Sequence, residues 1–222
     1  MLNILYEDNH IIVVEKPVNI PSQEDKTGDL DMLTMIKDYL KEKYHKPGDA
    51  YVGLVHRLDR PTGGVMVFAK TSKAAARLSE QIRENQLHKQ YLAIVDGKME
   101  NTTGHMEDYL YKNEKTNTSR IAKPNEKNAK LASLDYEVIK YNKEINMSVV
   151  KVDLQTGRHH QIRVQFASRG HSLSGDQKYG TRGRGKQLAL WAYSLSFTHP
   201  TTKEPLTFEL EPEHVRKLEN FR

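Results

Sequence analysis

Between Lys89 and Leu154 the sequence offers strand after strand and no helix to join them. Lys89–Val95, Met106–Tyr111, Arg120–Ala122, Ser133–Tyr141 and Met147–Leu154 read as strands of a meander. The polar stretches Lys112–Asn117 and Lys123–Lys130 between them have little to bury and read as loops. Strands also dominate elsewhere: Leu2–Tyr6 and His10–Val14 around an Asp-Asn turn, Val52–Val55, Val65–Ala69, Leu188–Phe197 and Leu206–Leu210. A helix capped by Asp29 or Asp31 is expected to run to about Tyr44, with Leu33, Ile36 and Leu40 on one face. Ser72 is expected to cap a second helix through about Asn85, with Ala75, Leu78 and Ile82 facing inward. Arg158–Ser168, opened by Gly157, and Pro212–Phe221 complete the helices. Without regular β-α-β alternation, this pattern predicts an α+β fold on a mixed, mostly antiparallel sheet with a few flanking helices. No repeat or linker-like break divides the chain, so residues 1–222 are read as one domain.

The segment His56-Arg57-Leu58-Asp59-Arg60-Pro61-Thr62-Gly63-Gly64 carries the clearest chemical signal. It sets one carboxylate, Asp59, between two arginines on a tight Pro-Thr-Gly-Gly turn that leads into the apolar run Val65–Ala69. The guanidiniums of Arg57 and Arg60 stay charged and match phosphate oxygens bidentately. An isolated Asp-Arg pair on a turn would be a surface ion pair of little consequence. Here the acid shares its loop with His56, two arginines and paired glycines, which suits an acid presented to a polyanion.

His-Arg-Leu-Asp followed by Thr-x-Gly resembles the signature loop of the RluA-type pseudouridine synthases, enzymes that isomerise uridine in RNA. Four further segments match in the same order: Glu15-Lys16-Pro17 after Ile11–Val14, Lys89-Gln90-Tyr91-Leu92-Ala93, Thr156-Gly157-Arg158-His159-His160-Gln161-Ile162-Arg163, and the run Gly170-His171, Gly175-Asp176, Tyr179-Gly180. The family usually has Thr-Ser-Gly where this chain has Thr62-Gly63-Gly64, and Thr where His159 stands. It also often shows a small-His-Ala pattern where this chain has Leu190-Trp191-Ala192.

The resemblance implies a pseudouridine synthase catalytic fold with the active site in an RNA-binding cleft across the sheet. It also implies roles. Asp59 is the catalytic carboxylate, acting at the sugar as nucleophile or as base. Arg163 pairs with Asp59 and keeps it ionised. Tyr91 lies against the uracil and serves in removing the proton from carbon 5. Arg57 enters the space left by the extruded nucleotide, or contacts phosphate alone. Taken without the family, Tyr91 reads as a core tyrosine and Arg163 as an exposed helical arginine. The substrate-binding set is completed by His56, Arg60, Lys89, His160, Gln161, Arg182, Arg184 and Lys186. His160 and Gln161 are expected in the cleft floor; the last three, by their charge alone, read either as following an RNA backbone from the Gly-rich loop Tyr179–Lys186 or as a solvated charged loop.

The isomerisation gains and loses no atoms, so no cofactor is expected. The absence of cysteine excludes disulfides, thiolate zinc sites and a cysteine nucleophile. His159, His160 and His171 lack a carboxylate at helical spacing, so no metal is expected either. Gly180–Lys186 nearly spells a P-loop, but Gln187 replaces the hydroxyl residue and a strand follows instead of a helix. A formal net charge of +5 suits an RNA partner, ribosomal or transfer. No signal peptide or membrane span is read at the N-terminus or beyond, which predicts a cytoplasmic protein, and nothing implies a protein partner or more than a monomer. Because the first catalytic strand opens the chain, no separate N-terminal RNA-binding domain is expected. The competing reading is a non-catalytic RNA-binding protein on the same fold, and the Asp59, Tyr91 and Arg163 set argues against it.

Overall fold

The computed structural model describes residues 2–45, 47–180 and 187–212, and the chain divides into two compact units. The first comprises residues 1–88 and 192–222, the second residues 89–191. The expected helix Pro212–Phe221 lies outside the described residues from residue 213 onward, and so do Arg182, Arg184 and Lys186.

In the first unit, β1 (Asn3–Glu7) pairs antiparallel with β2 (Ile11–Lys16), and β2 with β4 (Gly63–Ala69). β3 is only Gly53–Leu54 and pairs with β4; β10 (Leu190–Thr198) follows β4 in the strand order and carries β11 (Pro205–Glu209). Every residue of β4 is buried, as its unbroken apolar run requires. Val65, Val67 and Ala69 form one core with Ile11, Val13, Leu195, Phe197 and the helix α2 (Ser72–Arg83) through Ala74 and Leu78. The alternate residues Ile12, Val14, Met66 and Phe68 are equally buried on the other face.

α1 (Met32–Lys43) starts at Asp31, whose carboxylate accepts from the N–H groups of Leu33 and Thr34. Its buried stripe is Met32, Ile36 and Leu40; Leu33, expected there, is half-buried. The cap of α2 is Thr71 and not Ser72: Thr71 holds the extended backbone of a cap, and its hydroxyl accepts from Ala74 N–H. Ala75 and Ile82 are partly buried against the core, where Ala74 and Leu78 are fully so.

The second unit is a meander in the order β5 (His88–Asp96), β9 (Met147–Leu154), β8 (Lys130–Asn142), β6 (Thr103–Asn113), β7 (Thr118–Ala122), every pair antiparallel. The β6–β7 connection is tighter than the polar stretch suggests, because Asn113 Oδ1 accepts from the N–H groups of Lys115 and Thr116 and closes an Asx turn. α3 (Gln161–Ser168) lies against Leu110 and Ala132 through Val164, and Phe166 meets Tyr136 edge-on at 5.8 Å. It begins three residues later than expected, since His160 takes a left-handed conformation (φ 55°) and turns the chain before the first helical residue.

Candidate active site

In the first unit the Asp59 loop has no long strand to hold it, and side chains from the N-terminal segment hold it instead. Ser22 Oγ donates to Leu58 C=O at 2.9 Å and accepts from Leu58 N–H at 3.2 Å, so one buried hydroxyl satisfies both main-chain groups of the residue before Asp59. Leu58 is buried while Arg57 is exposed and Asp59 half-buried, so the loop turns its two charged residues outward around an apolar anchor. Thr62 N–H donates to Asp59 C=O at 2.9 Å and closes the turn. His56 Nε2 accepts from Val67 N–H at 3.2 Å, which ties the loop to β4. Gly64, at φ 124°, meets Ala192 so closely that a Cβ would fall 2.2 Å from its carbonyl oxygen.

Lys16 sits beneath this loop. It follows Ile12 and Val14 on the same face of β2, has no exposed surface, and its Nζ donates to Pro17 C=O and Arg60 C=O, both at 3.0 Å. Burial pushes the ammonium down to about 7; the Asp59 carboxylate opposes this and the Arg60 guanidinium adds to it. The Lys16 amine is thus near enough to the Asp59 carboxylate for the two charges to favour one another. The sequence reading gave it no role, although a lysine on the inward face of a buried strand is a legible signal.

Arg60 turns away from the body. Its Nε donates to Asn19 C=O at 3.2 Å, its Nη1 to Thr27 Oγ1 at 3.0 Å and to Asp25 at 3.5 Å, and its Nη2 pairs with Asp29.

In the second unit, Arg163 is buried and held bidentately by Asp176, Nε to Oδ2 and Nη2 to Oδ1, both at 2.8 Å. Asp176 also accepts from the N–H groups of Lys178 and Tyr179. Burial raises the Asp176 carboxyl, but the Arg163 and main-chain donors outweigh it and hold it below its ordinary range. The guanidinium lies 5.1 Å over the Tyr179 ring. In sequence Asp176 is only part of a motif, and nothing local announces its partner 13 residues away.

Tyr179 OH meets His160 Nδ1 at 2.6 Å and accepts from Ser119 N–H at 2.7 Å, His159 stacks on His160 at 3.7 Å, and Ser119 Oγ meets His159 Nδ1 at 2.9 Å. These residues dock β7 onto the start of α3. Gln161, expected in a cleft floor, is buried. Its Oε1 accepts from Thr156 Oγ1 and Arg158 N–H while its Nε2 donates to Ser133 C=O, so it holds the Thr156–Arg158 turn against β8. Tyr91 is buried on β5 opposite Val152. Lys89 Nζ stands where a Cβ on Gly157 would be 3.3 Å away, and burial pushes it below the ordinary lysine range. Among the described residues no three His, Asp or Glu side chains are placed to hold a metal ion, and no described helix is long and apolar enough to cross a membrane.

Residues 10–168 match the RNA pseudouridylate synthase family. The chain is 35% identical over 212 residues to the uncharacterized RNA pseudouridine synthase YhcT of Bacillus subtilis (strain 168), covering 94% of this chain and 68% of that protein. It is 31% identical over 234 residues to the ribosomal large subunit pseudouridine synthase C of Escherichia coli (strain K12), covering 99% and 70%. Among solved structures, the human RNA pseudouridylate synthase domain containing 4 superposes with a TM-score of 0.80 at 22% identity, over 98% of this chain and 92% of that one, which shows the shared fold. With a family match over most of its length and relatives above 30% identity, the chain belongs to the RNA pseudouridylate synthases, isomerases that convert uridine to pseudouridine in RNA.

Proposed function

We propose that this protein isomerises specific uridines of ribosomal or transfer RNA in the cytoplasm, with Asp59 as the catalytic carboxylate. The observation that carries this reading is the setting of Asp59: a half-buried acid in a basic loop, fixed by Ser22 on one side and backed by buried Lys16 on the other. A carboxylate so fixed can assist at the ribose while the base is detached, by attack on the anomeric carbon or by taking a proton from the neighbouring carbon. Relatives named for the large ribosomal subunit support an RNA of that class.

In this reading Arg163 pairs with Asp59, as the family resemblance implies, and Asp176 holds the same guanidinium through Nε and Nη2. Tyr91 assists the proton leaving carbon 5. Arg57, exposed beside Asp59, takes the place of the extruded nucleotide, and Lys89 and His56 belong to the substrate-binding set. The family resemblance supports these roles, and the basic composition of the Gly-rich loop with Arg182, Arg184 and Lys186 supports a contact with the RNA backbone.

The test is tritium release from RNA carrying uridine labelled at carbon 5. Asp59→Asn keeps the shape and removes the charge, and is expected to lower release by about three orders of magnitude or more while RNA binding survives. Release at near wild-type rate from this variant would sink the assignment.

A further inference from the structure

Residues 22–31 form an Ω-loop whose neck is closed by Met32 N–H donating to Pro21 C=O at 2.9 Å. One end is pinned by Ser22 on Leu58, the other by Asp31 capping α1. Every residue from 23 to 30 is exposed. The tip is built on itself: Thr27 N–H and Oγ1 both donate to Asp25 Oδ1, at 2.9 and 2.5 Å, and Thr27 Oγ1 also meets Asp29 Oδ2 at 2.9 Å. Among the described residues, the polar contacts from this tip to the rest of its unit run to Arg60. Asp25, Thr27 and Asp29 thus gather three oxygens around the guanidinium edge, next to the catalytic loop.

Two exposed carboxylates on a part-exposed arginine make ion pairs worth little, because water and salt screen them. A tethered, weakly held group of acidic oxygens around a guanidinium presents the acceptors and the negative charge that a phosphodiester would present. We propose that Arg60 is a phosphate seat for the RNA strand entering the Asp59 loop, and that the Asp25–Asp29 tip occupies this seat in the free protein and yields it to RNA. The inference rests on the RNA-modifying reading above. It gives the acidic tip a purpose that a positively charged RNA-binding protein otherwise lacks. A strand must displace two like charges to bind, so random weak contacts are disfavoured more than the full set made by a substrate. The neck and the two pins, at Pro21–Met32, Ser22 and Asp31, lie outside the 25–29 tip, so its contacts with Arg60 are separate from those that hold Leu58 and α1.

The experiment is a thermodynamic cycle measured by filter binding to an unmodified large-subunit ribosomal RNA transcript across a salt series, with tritium release recorded on the same preparations. Asp25→Asn with Asp29→Asn keeps shape and removes both charges. It is expected to tighten binding about 3- to 10-fold, and the plot of log affinity against log salt should steepen by about one phosphate contact. Arg60→Ala in the wild-type background should weaken binding only slightly, and in the double-asparagine background should remove the whole gain. An equal gain in the presence and absence of Arg60 would mean general charge relief and overturn the proposal, as would no gain at all. If the wild-type protein releases tritium and the cycle shows no coupling, the seat alone is refuted. If the wild-type protein releases none from ribosomal or transfer RNA, the proposed function fails independently.

Discussion

Lys16 is enclosed, and what it contacts is two main-chain carbonyls below a carboxylate. Lys16→Met removes a donor from both carbonyls, leaving Arg60 C=O with Asn19 N–H, and is expected to cost about 1–3 kcal/mol in urea unfolding. The pH dependence gives a sharper reading. Its folded pKa, about 7, lies below the ordinary lysine value, so the unfolded chain binds more protons between the two. Stability from this group therefore grows as pH rises from 7 towards 10.5 and is lost as pH falls through 7. The gap between wild type and Lys16→Met should widen over that window, and a gap independent of pH would show that the lysine is not desolvated. Arg163 poses the opposite case, a buried charge fully paired. Lysine at 163 is a point charge that cannot meet both oxygens of Asp176. Arg163→Lys is expected to reduce single-turnover rate by about 10²-fold or more and to lower stability by ~1–3 kcal/mol, with RNA affinity little changed. A rate near wild type would leave Arg163 a purely structural cation.

At the scale of elements, one carboxylate fastens α1 to the first sheet. Glu7 on β1 accepts from Tyr39 OH and Lys43 Nζ on one oxygen and from Lys70 Nζ and Tyr44 OH on the other, at 2.6 to 2.9 Å. Burial raises its pKa, but these four donors outweigh burial and bring it to about 2. Its folded value lies below its unfolded one, so the stability it confers is complete above about pH 4.5 and disappears as pH falls through 2. Glu7→Gln should be less stable than wild type at neutral pH, and its stability should fall less steeply between pH 4.5 and 2. Parallel acid limbs in circular-dichroism titrations would contradict this.

Elements of this kind were legible in sequence to different degrees. The β4 run, the Asp31 cap and the meander from Lys89 to Leu154 follow from apolar period and capping chemistry, which act over a few residues. The start of α3 does not, because His160 there is left-handed and its ring is held by Tyr179, 19 residues further on. Thr71 and Ser72 are both competent caps, and only backbone conformation decides between them. The Asp59 loop is visible as a motif, but the grip of Ser22 on Leu58 is not, since it acts across 36 residues that local patterns do not encode; in the other unit the same holds for the hold of Asp176 on Arg163. Arg60 was expected to reach outward to phosphate; its partners in the 25–29 tip arise from a loop with no apolar signal at all.

For the molecule as a whole, charge and chemistry can be separated. A net charge of +5 supplies an attraction for RNA that falls with salt, each phosphate contact costing about a threefold loss of affinity between 50 and 200 mM. In the proposed chemistry a carboxylate assists at the ribose and no metal is called for. Tritium release is therefore expected to persist in EDTA once RNA folding is maintained with spermidine. Activity lost in EDTA and restored by zinc alone would show a metal role that the side chains do not suggest.

The grip of Ser22 on Leu58 bears on how portable this site is. The hydroxyl stands in for a neighbouring strand, and it comes from 36 residues away. A graft that copied residues 56–64 into another scaffold would carry the acid, the arginines and the turn, yet leave the main chain before the acid without its support. Errors of about 1 Å at a reacting group are enough to cost two orders of magnitude in rate. The smallest piece that would carry the Asp59 loop in its present shape is therefore two segments distant in sequence, and the second of them contributes a hydroxyl that acts on the main chain alone.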